Sequence, residues 1–208
     1  MIIPSLITGW AEKFFPGLLC QVKGKPGVIF LTFDDGPTPD LTTEILRLLE
    51  EFHAIATFFC LGRQADQHPE LMHEIKKKGH SLGNHSWSHP DGWFTKTSRY
   101  SEDIQKAGNI IHTRLLRPPY GRIWPWQIRR LQQKYRIVLW RIMIPDYRAG
   151  INADKALKKL QRHVCAGDIV VMHDNEKARD NILRLLPPFL KYFTGKGYSF
   201  EAIPMERE

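Results

Sequence analysis

The sequence has few cysteines, no long apolar run and no low-complexity stretch, and each absence narrows what the chain can be. Its three cysteines, Cys20, Cys60 and Cys165, are an odd set without a C-x-x-C pair, which argues against a disulfide framework. Cys60 closes the apolar run A-T-F-F-C and reads as a small core residue. No stretch reaches the roughly 18 consecutive apolar residues of a membrane span. No linker or internal repeat divides the 208 residues, which suit one domain or at most two small ones. A single domain of this length buries roughly 70% of its unfolded surface and needs no covalent staple. A basic segment ahead of the apolar residues 1–10 is also lacking, Glu12 and Lys13 follow them, and Cys20 follows Leu19 where a lipoprotein signal has a small residue. Residues 1–26 are therefore expected to form an extension packing on a domain that spans residues 27–205, and the compartment stays open between cytoplasm and cell envelope.

Positive charge is in excess, with a formal net charge of +8. The clusters Lys76-Lys77-Lys78, Arg129-Arg130 and Lys158-Lys159 read as solvated helix faces, with peripheral association to an anionic surface as the sharper alternative. No motif joins them into a nucleic-acid module, so nucleic acid is not an expected partner.

From residue 27 the chain alternates between short apolar runs rich in strand formers and segments with apolar residues at helical spacing. Strands are expected over 28–33, 55–60, 80–83, 137–140, 168–172 and 198–203. Helices are expected over 42–52, 69–78, 98–115, 126–135, 152–164 and 178–193, the last with a kink or break at Pro187-Pro188. About seven strand-then-helix units of roughly 25 residues argue for parallel strands wrapped by helices. The expected fold is α/β, a distorted (β/α) barrel, and in such a barrel the chemistry sits where strands end.

Polar motifs fall at those ends. In Thr32-Phe33-Asp34-Asp35-Gly36-Pro37 two adjacent carboxylates close an apolar strand, which is costly unless a cation lies nearby; a plain Asp-Gly turn is the bland alternative. In Gly83-Asn84-His85-Ser86-Trp87-Ser88-His89 the two histidines are four apart, so a helical turn would put both imidazoles on one face. One carboxylate and two imidazoles make a facial set suited to Zn²⁺ or another divalent first-row ion. Arg117-Pro118-Pro119-Tyr120-Gly121 offers an arginine to pair with a carboxylate and the Tyr120 N–H as a donor. His173 ends the very apolar run Ile169-Val170-Val171-Met172, where a satisfied core histidine is the competing reading. The other histidines, His53, His68, His73, His80, His112 and His163, read as surface or core residues.

In this order these motifs resemble the polysaccharide deacetylases, carbohydrate esterase family four with the chitooligosaccharide-deacetylase homology domain, over about residues 27–203. The resemblance implies a distorted βα barrel that removes acetyl groups from an acetylated glycan, with zinc as cofactor and cobalt, nickel or iron as alternatives. It implies Asp34 as catalytic base, and Asp35, His85 and His89 as metal ligands. Arg117 matches the residue orienting the base, Tyr120 the oxyanion donor, His173 the general acid and Asp146 its tuning partner. Pro119, Val171, Tyr120 and Tyr147 match positions that contact substrate. Arg141 and Tyr147 depart from the family's fourth motif, where an acid and an aromatic wall are common, which bears on the groove more than on the metal site. A glycan-binding pseudoenzyme on the same fold, and a hydrolase of a non-sugar amide such as a cyclic ureide, are the alternatives.

Overall fold

A computed structural model describes residues 3–4 and 18–205, so most of the expected N-terminal extension lies outside the described residues. Strand β1 is Ile3–Pro4 and β2 is Leu18–Leu19. The alternation then runs β3 Val28–Asp34, α1 Leu41–Glu51, β4 Thr57–Cys60, α2 Gly62–Gln67, α3 Pro69–Lys77, β5 Ser81–Asn84, α4 Thr97–Ile111 and β6 Leu115–Leu116. It continues with α5 Pro125–Leu131, β7 Arg136–Val138, β8 Ile142–Met143, α6 Ala153–His163, β9 Ile169–His173, α7 Arg179–Gly195 and β10 Ser199–Phe200.

The strands form one sheet in the order β1-β8-β9-β3-β4-β5-β6-β7-β2, with β10 added to β3. Every pair is parallel except β1 with β8. Between β7 and β9 the wall is completed by the segment after β2: Gln21 bridges Asp168, and the Val22 N–H donates to the Gly167 carbonyl at 2.9 Å. Residues 18–22 thus sit in the barrel wall, with Leu18, Cys20 and Val22 buried. The result is a (β/α) barrel of the distorted kind, and among the described residues no helix is long and apolar enough to cross a membrane.

Strand β3 reads as an unbroken apolar run because both of its faces are buried. Successive residues point to opposite faces. Ile29, Leu31 and Phe33 pack outward with Ile45 and Leu49 of α1 and Ile182, Leu186 and Phe189 of α7. Val28 and Phe30 point inward and meet Phe59, Leu115, Val138 and Ile169 from four other strands. This apolar plug fills the barrel floor and leaves the opposite end, where β3, β5 and β9 stop, for polar side chains.

Several elements differ from the sequence expectation. The helix expected over 98–115 ends at Ile111, with His112 at φ 53, because Leu115 and Leu116 are needed as a strand. Helix α2 and strand β8 are too short to show a period. Helix α7 runs unbroken through Pro187 and Pro188. Interior prolines cost about 3 kcal/mol each, but Leu185, Leu186, Phe189 and Leu190 on either side are buried, and each such burial returns roughly 1.5–3 kcal/mol. Helix α6 starts at a cap that its sequence offers, the Asn152 side chain accepting from the Lys155 N–H at 2.9 Å.

Gly83 on β5 abuts the inward Phe59 ring so closely that a Cβ there would lie 2.3 Å from ring carbon Cδ1. Gly83→Ala is therefore expected to destabilise the protein by about 1–3 kcal/mol through overpacking. Urea unfolding measures it, and an unchanged midpoint would contradict this packing of the barrel interior.

Candidate active site

The site is built on the alternation of β3. Thr32 and Asp34 face inward, and Asp35 would face away from them if the strand continued. Instead Asp35 adopts φ 80, with its N–H donating to the Phe59 carbonyl at 3.2 Å. Left-handed backbone at a non-glycine residue costs on the order of 1–3 kcal/mol and persists only where the surroundings enforce it. The turn brings both carboxylates to one pocket.

Asp34 is held from below by Arg117, which follows β6 and is fully buried. Arg117 Nη1 donates to Asp34 Oδ1 at 2.6 Å and to Thr32 Oγ1 at 2.8 Å, and Nη2 donates to the Leu139 carbonyl at 3.1 Å. Its guanidinium lies 4.0 Å from the centroid of the Phe59 ring. Burial draws the Arg117 pKa below its usual value, opposed by Asp34.

His85 follows β5, and its Nδ1 is 2.8 Å from the Arg117 carbonyl, leaving Nε2 for the pocket. His89 arrives by a different route from the helical turn expected. Residues 85–89 form a bent loop in which Ser86 and His89 have φ 69 and 62. The loop is pinned by side chains: the Ser86 N–H donates to Asn84 Oδ1, the His89 N–H to Ser86 Oγ, and the N–H groups of Trp87 and Ser88 to Asp103 Oδ1. Local hydrogen bonds from Ser, Asn and Asp compete well with helix, so the i, i+4 pair converges without one.

Asp35 Oδ1 lies 3.6 Å from His85 Nε2 and 3.4 Å from His89 Nε2, and one ligand atom from each of the three residues falls within 4.8 Å of the others. Donors bound at about 2.0–2.2 Å in a tetrahedron sit about 3.4 Å apart, so this set fits a small divalent ion. Burial opposes charge on Asp35, but His85, His173 and His89, with the Asn175 amide, outweigh it and hold the carboxyl below its ordinary range. Burial, with His85 nearby, lowers His89 to about 4, which keeps its ring neutral and its lone pair available.

Across the pocket, β9 pairs with β3 so that His173 is the Cα partner of Asp34. One carboxylate, Asp146, engages two nitrogens of His173: Oδ2 accepts the backbone N–H at 2.9 Å, and Oδ1 lies 2.6 Å from Nδ1. Burial works against the imidazolium, yet Asp146, aided by Asp34 and Asp35, raises His173 to about 9. Tyr147 sets its ring against His173, centroids 4.9 Å apart. Val171 shares the inward face of β9 with His173 and is fully buried. Pro119 and Tyr120 form a tight turn in which Pro119 is buried and Tyr120 has φ 58. The turn's two hydrogen bonds are donated by Gly121 and Arg122, and the N–H of Tyr120 is not among the donors. The Tyr120 ring packs edge-on against His89 at 4.5 Å.

Arg141 is not at this pocket. It lies 3.4 Å from Asp168, just before β9, and His173 comes five positions after Asp168 along the strand. At about 3.3 Å per strand residue that is the far end of the barrel. His80 is a core residue whose Nδ1 accepts from the Ala56 N–H at 3.1 Å, and burial lowers it to about 4. Sequence reasoning missed Asn175, whose amide donates to Asp35 Oδ2 at 2.7 Å and leaves Oδ1 to face the histidines. It also missed Thr32, Asp103 and Asp174. Burial, with Asp35 nearby, raises Asp174 to about 7, while the Thr42 hydroxyl at 2.6 Å opposes this. The signal for Asn175 and Asp174 was their place directly after His173 at a strand end.

The chain is similar in sequence and fold to known proteins. The polysaccharide deacetylase family profile matches residues 21–139. The chain is 29% identical to a peptidoglycan-N-acetylglucosamine deacetylase of Bacillus cereus over 94% of its length and 73% of that protein's. It is 29% identical to a chitooligosaccharide deacetylase of Azorhizobium caulinodans, covering 76% of this chain and 79% of the other. Among solved structures, the Bc1960 peptidoglycan N-acetylglucosamine deacetylase superposes with a TM-score of 0.87 at 27% identity, covering 96% of this chain and 98% of that one.

The His173–Asp146 pair yields a titration. In metal-free protein, NMR should find the His173 imidazolium persisting to about pH 9, and in Asp146→Asn its pKa should fall to near or below 6.5. A raised histidine pKa contributes stability that is complete below 6.5 and is lost as pH rises through about 9. The stability gap between wild type and Asp146→Asn should therefore shrink over that window. A His173 pKa indifferent to Asp146→Asn would refute the pairing.

Proposed function

The chain belongs to the polysaccharide deacetylase family, and on that premise we propose that it is a metal-dependent hydrolase removing acetyl groups from an acetylated glycan of the N-acetylglucosamine type. The observation that carries the proposal is the register of β3 and β9. It sets Asp34 and His173 side by side on adjacent strands, at the rim of the pocket shared by Asp35, His85 and His89.

Asp35, His85 and His89 would hold the ion, with zinc first by donor set and cobalt, nickel or iron as alternatives. When bound, such an ion supplies Lewis acidity and lowers the pKa of a water toward about 7. Asp34 takes a proton from the attacking water through Oδ2, while Arg117 occupies Oδ1 and fixes the carboxylate's orientation. The water oxygen bonds to the acetyl carbon, and the Tyr120 N–H donates to the carbonyl oxygen as charge develops there. One such donor is typically worth about 2.7–4 kcal/mol. As the C–N bond breaks, His173 delivers its Nε2 proton to the departing amine, and acetate is the other product. Asp146 keeps His173 charged for that step. Val171 and Pro119 line the acetyl pocket, and Tyr147 and the Tyr120 ring flank the sugar.

The pseudoenzyme reading is disfavoured by the coexistence of three metal-type donors, a buried Arg-oriented carboxylate and a charged histidine, none of which a pure binder needs. A cyclic-ureide hydrolase is disfavoured by the same complete set.

The division of the two carboxylates is testable by metal analysis and acetate release from acetylated chito-oligosaccharide. His85→Ala and His89→Ala should each lose most bound metal. Asp34→Asn should keep its metal and lose about 10²–10⁴-fold in rate, the usual range for a general base. Asp35→Asn should lose metal first. If both Asn variants behave alike in metal content and rate, the assignment is wrong. Wild-type protein releasing acetate from no acetylated glycan would refute the function itself.

A further inference from the structure

Four aromatic side chains beside the pocket stay exposed: Tyr120 by 58%, Trp126 by 55%, Trp93 by 49% and Trp124 by 39%. They form a continuous ladder leading away from the site. Tyr120 touches His89, and the Arg122 guanidinium lies 5.6 Å from the Tyr120 ring centre and 5.1 Å from that of Trp93. Trp93 then neighbours Trp124 at 6.1 Å, and Trp124 stacks on Trp126 at 4.9 Å with planes 8° apart.

The ladder is rigidly supported. Buried Gln127 accepts the Trp124 N–H at 2.8 Å and donates to the Gly92 carbonyl at 3.1 Å. Trp124 Nε1 donates to the Trp93 carbonyl at 3.2 Å. Asp91 accepts the Trp93 N–H and pairs with Arg122. Gly92 is so close to the neighbouring segment that a Cβ would lie 2.2 Å from the Arg122 carbonyl. Exposed indoles forgo the stabilisation of burial, and a preorganised, contiguous aromatic patch beside a cleft marks a binding surface.

Its chemistry selects the occupant. An all-apolar partner would strip water from the Asp91–Arg122 pair set among the rings. A pyranose offers a C–H face to an indole and hydroxyls at its rim to Arg122 and Asp91. We propose that this ladder is an extended saccharide-binding surface. Units of an N-acetylglucosamine-type chain stack on Trp93 and on the open face of the Trp124–Trp126 pair while an acetylated unit occupies the Asp34–His173 pocket. The protein would then act on oligomers or polymers in preference to a free monosaccharide. This rests on the glycan deacetylase reading and adds its chain-length preference.

The test compares metal-loaded wild type with Trp93→Ala, Trp126→Ala and Trp126→Phe on chito-oligosaccharides from the disaccharide to the pentasaccharide. In both alanine variants KM for the pentasaccharide should rise about tenfold, with kcat changing less than about twofold, the scale of one lost aromatic contact. The disaccharide should be indifferent, and Trp126→Phe should recover most of the loss. Chain-length profiles identical to wild type in both alanine variants overturn the proposal. If wild type deacetylates no chito-oligosaccharide, the function reading fails by itself, and calorimetric titration with chitopentaose then decides the ladder. Binding weakened in Trp126→Ala upholds it; equal or absent binding overturns it. Self-association or binding to anionic vesicles that the alanine variants abolish, with oligosaccharide kinetics unchanged, also overturns it. The substituted side chains are half exposed, and thermal melts confirm that each variant is folded.

Discussion

A buried ion pair between Arg117 and Asp34 organises the catalytic end of the barrel. Placing a guanidinium in the barrel interior is costly unless its donors are matched; here Asp34, Thr32 and the Leu139 carbonyl take donors of Nη1 and Nη2, while Nε–H is buried without a hydrogen-bond partner among the described residues. Two of these partners come from β3 and one from the segment after β7, so the arginine ties strands on opposite sides of the interior together. Its own backbone carbonyl faces His85 Nδ1. One residue therefore orients the inner carboxylate and the first histidine at once. Removing either member of such a pair typically costs about 3–5 kcal/mol, because the other charge is left buried alone.

The pair also explains why two adjacent aspartates divide their work. Asp34 is drawn inward to Arg117, and Asp35 is turned by its positive φ toward the imidazoles, with Asn175 fixing its other oxygen. A third carboxylate, Asp146, performs the corresponding service for His173 by gripping its backbone and its ring. Four of the seven non-glycine residues with positive φ among the described residues, Asp35, Ser86, His89 and Tyr120, lie around this one pocket; Asp40, His53 and His112 sit at helix ends.

Much of this was legible in the sequence because the chemistry-bearing residues sit in short runs at the ends of apolar strands. T-F-D-D-G-P and I-V-V-M-H mark two of those ends without any knowledge of packing, and the strand-helix rhythm gives the barrel. What was not legible depends on contacts between distant segments. The bent path from His85 to His89 needs Asp103, which lies on α4. Asn175 is an ordinary loop residue until β9 is laid beside β3. Order along the chain suggested a groove position for Arg141, yet Asp168 holds it at the opposite end of the barrel. The strand formed by Leu18 and Leu19 is two residues long and owes its existence to the gap beside β7 that it fills. Two prolines that argue locally for a broken helix are overridden by the apolar residues flanking them.

The proposed chemistry requires that Asp35, and not Asp34, join His85 and His89 around an ion while Arg117 retains Asp34. Crystals grown with zinc and measured on both sides of the zinc absorption edge would test that directly. One strong anomalous peak is expected, bounded by Asp35 Oδ1, His85 Nε2 and His89 Nε2, with Asp34 still bonded to Arg117. A peak bound by Asp34, or one lying away from the two histidines, would contradict it.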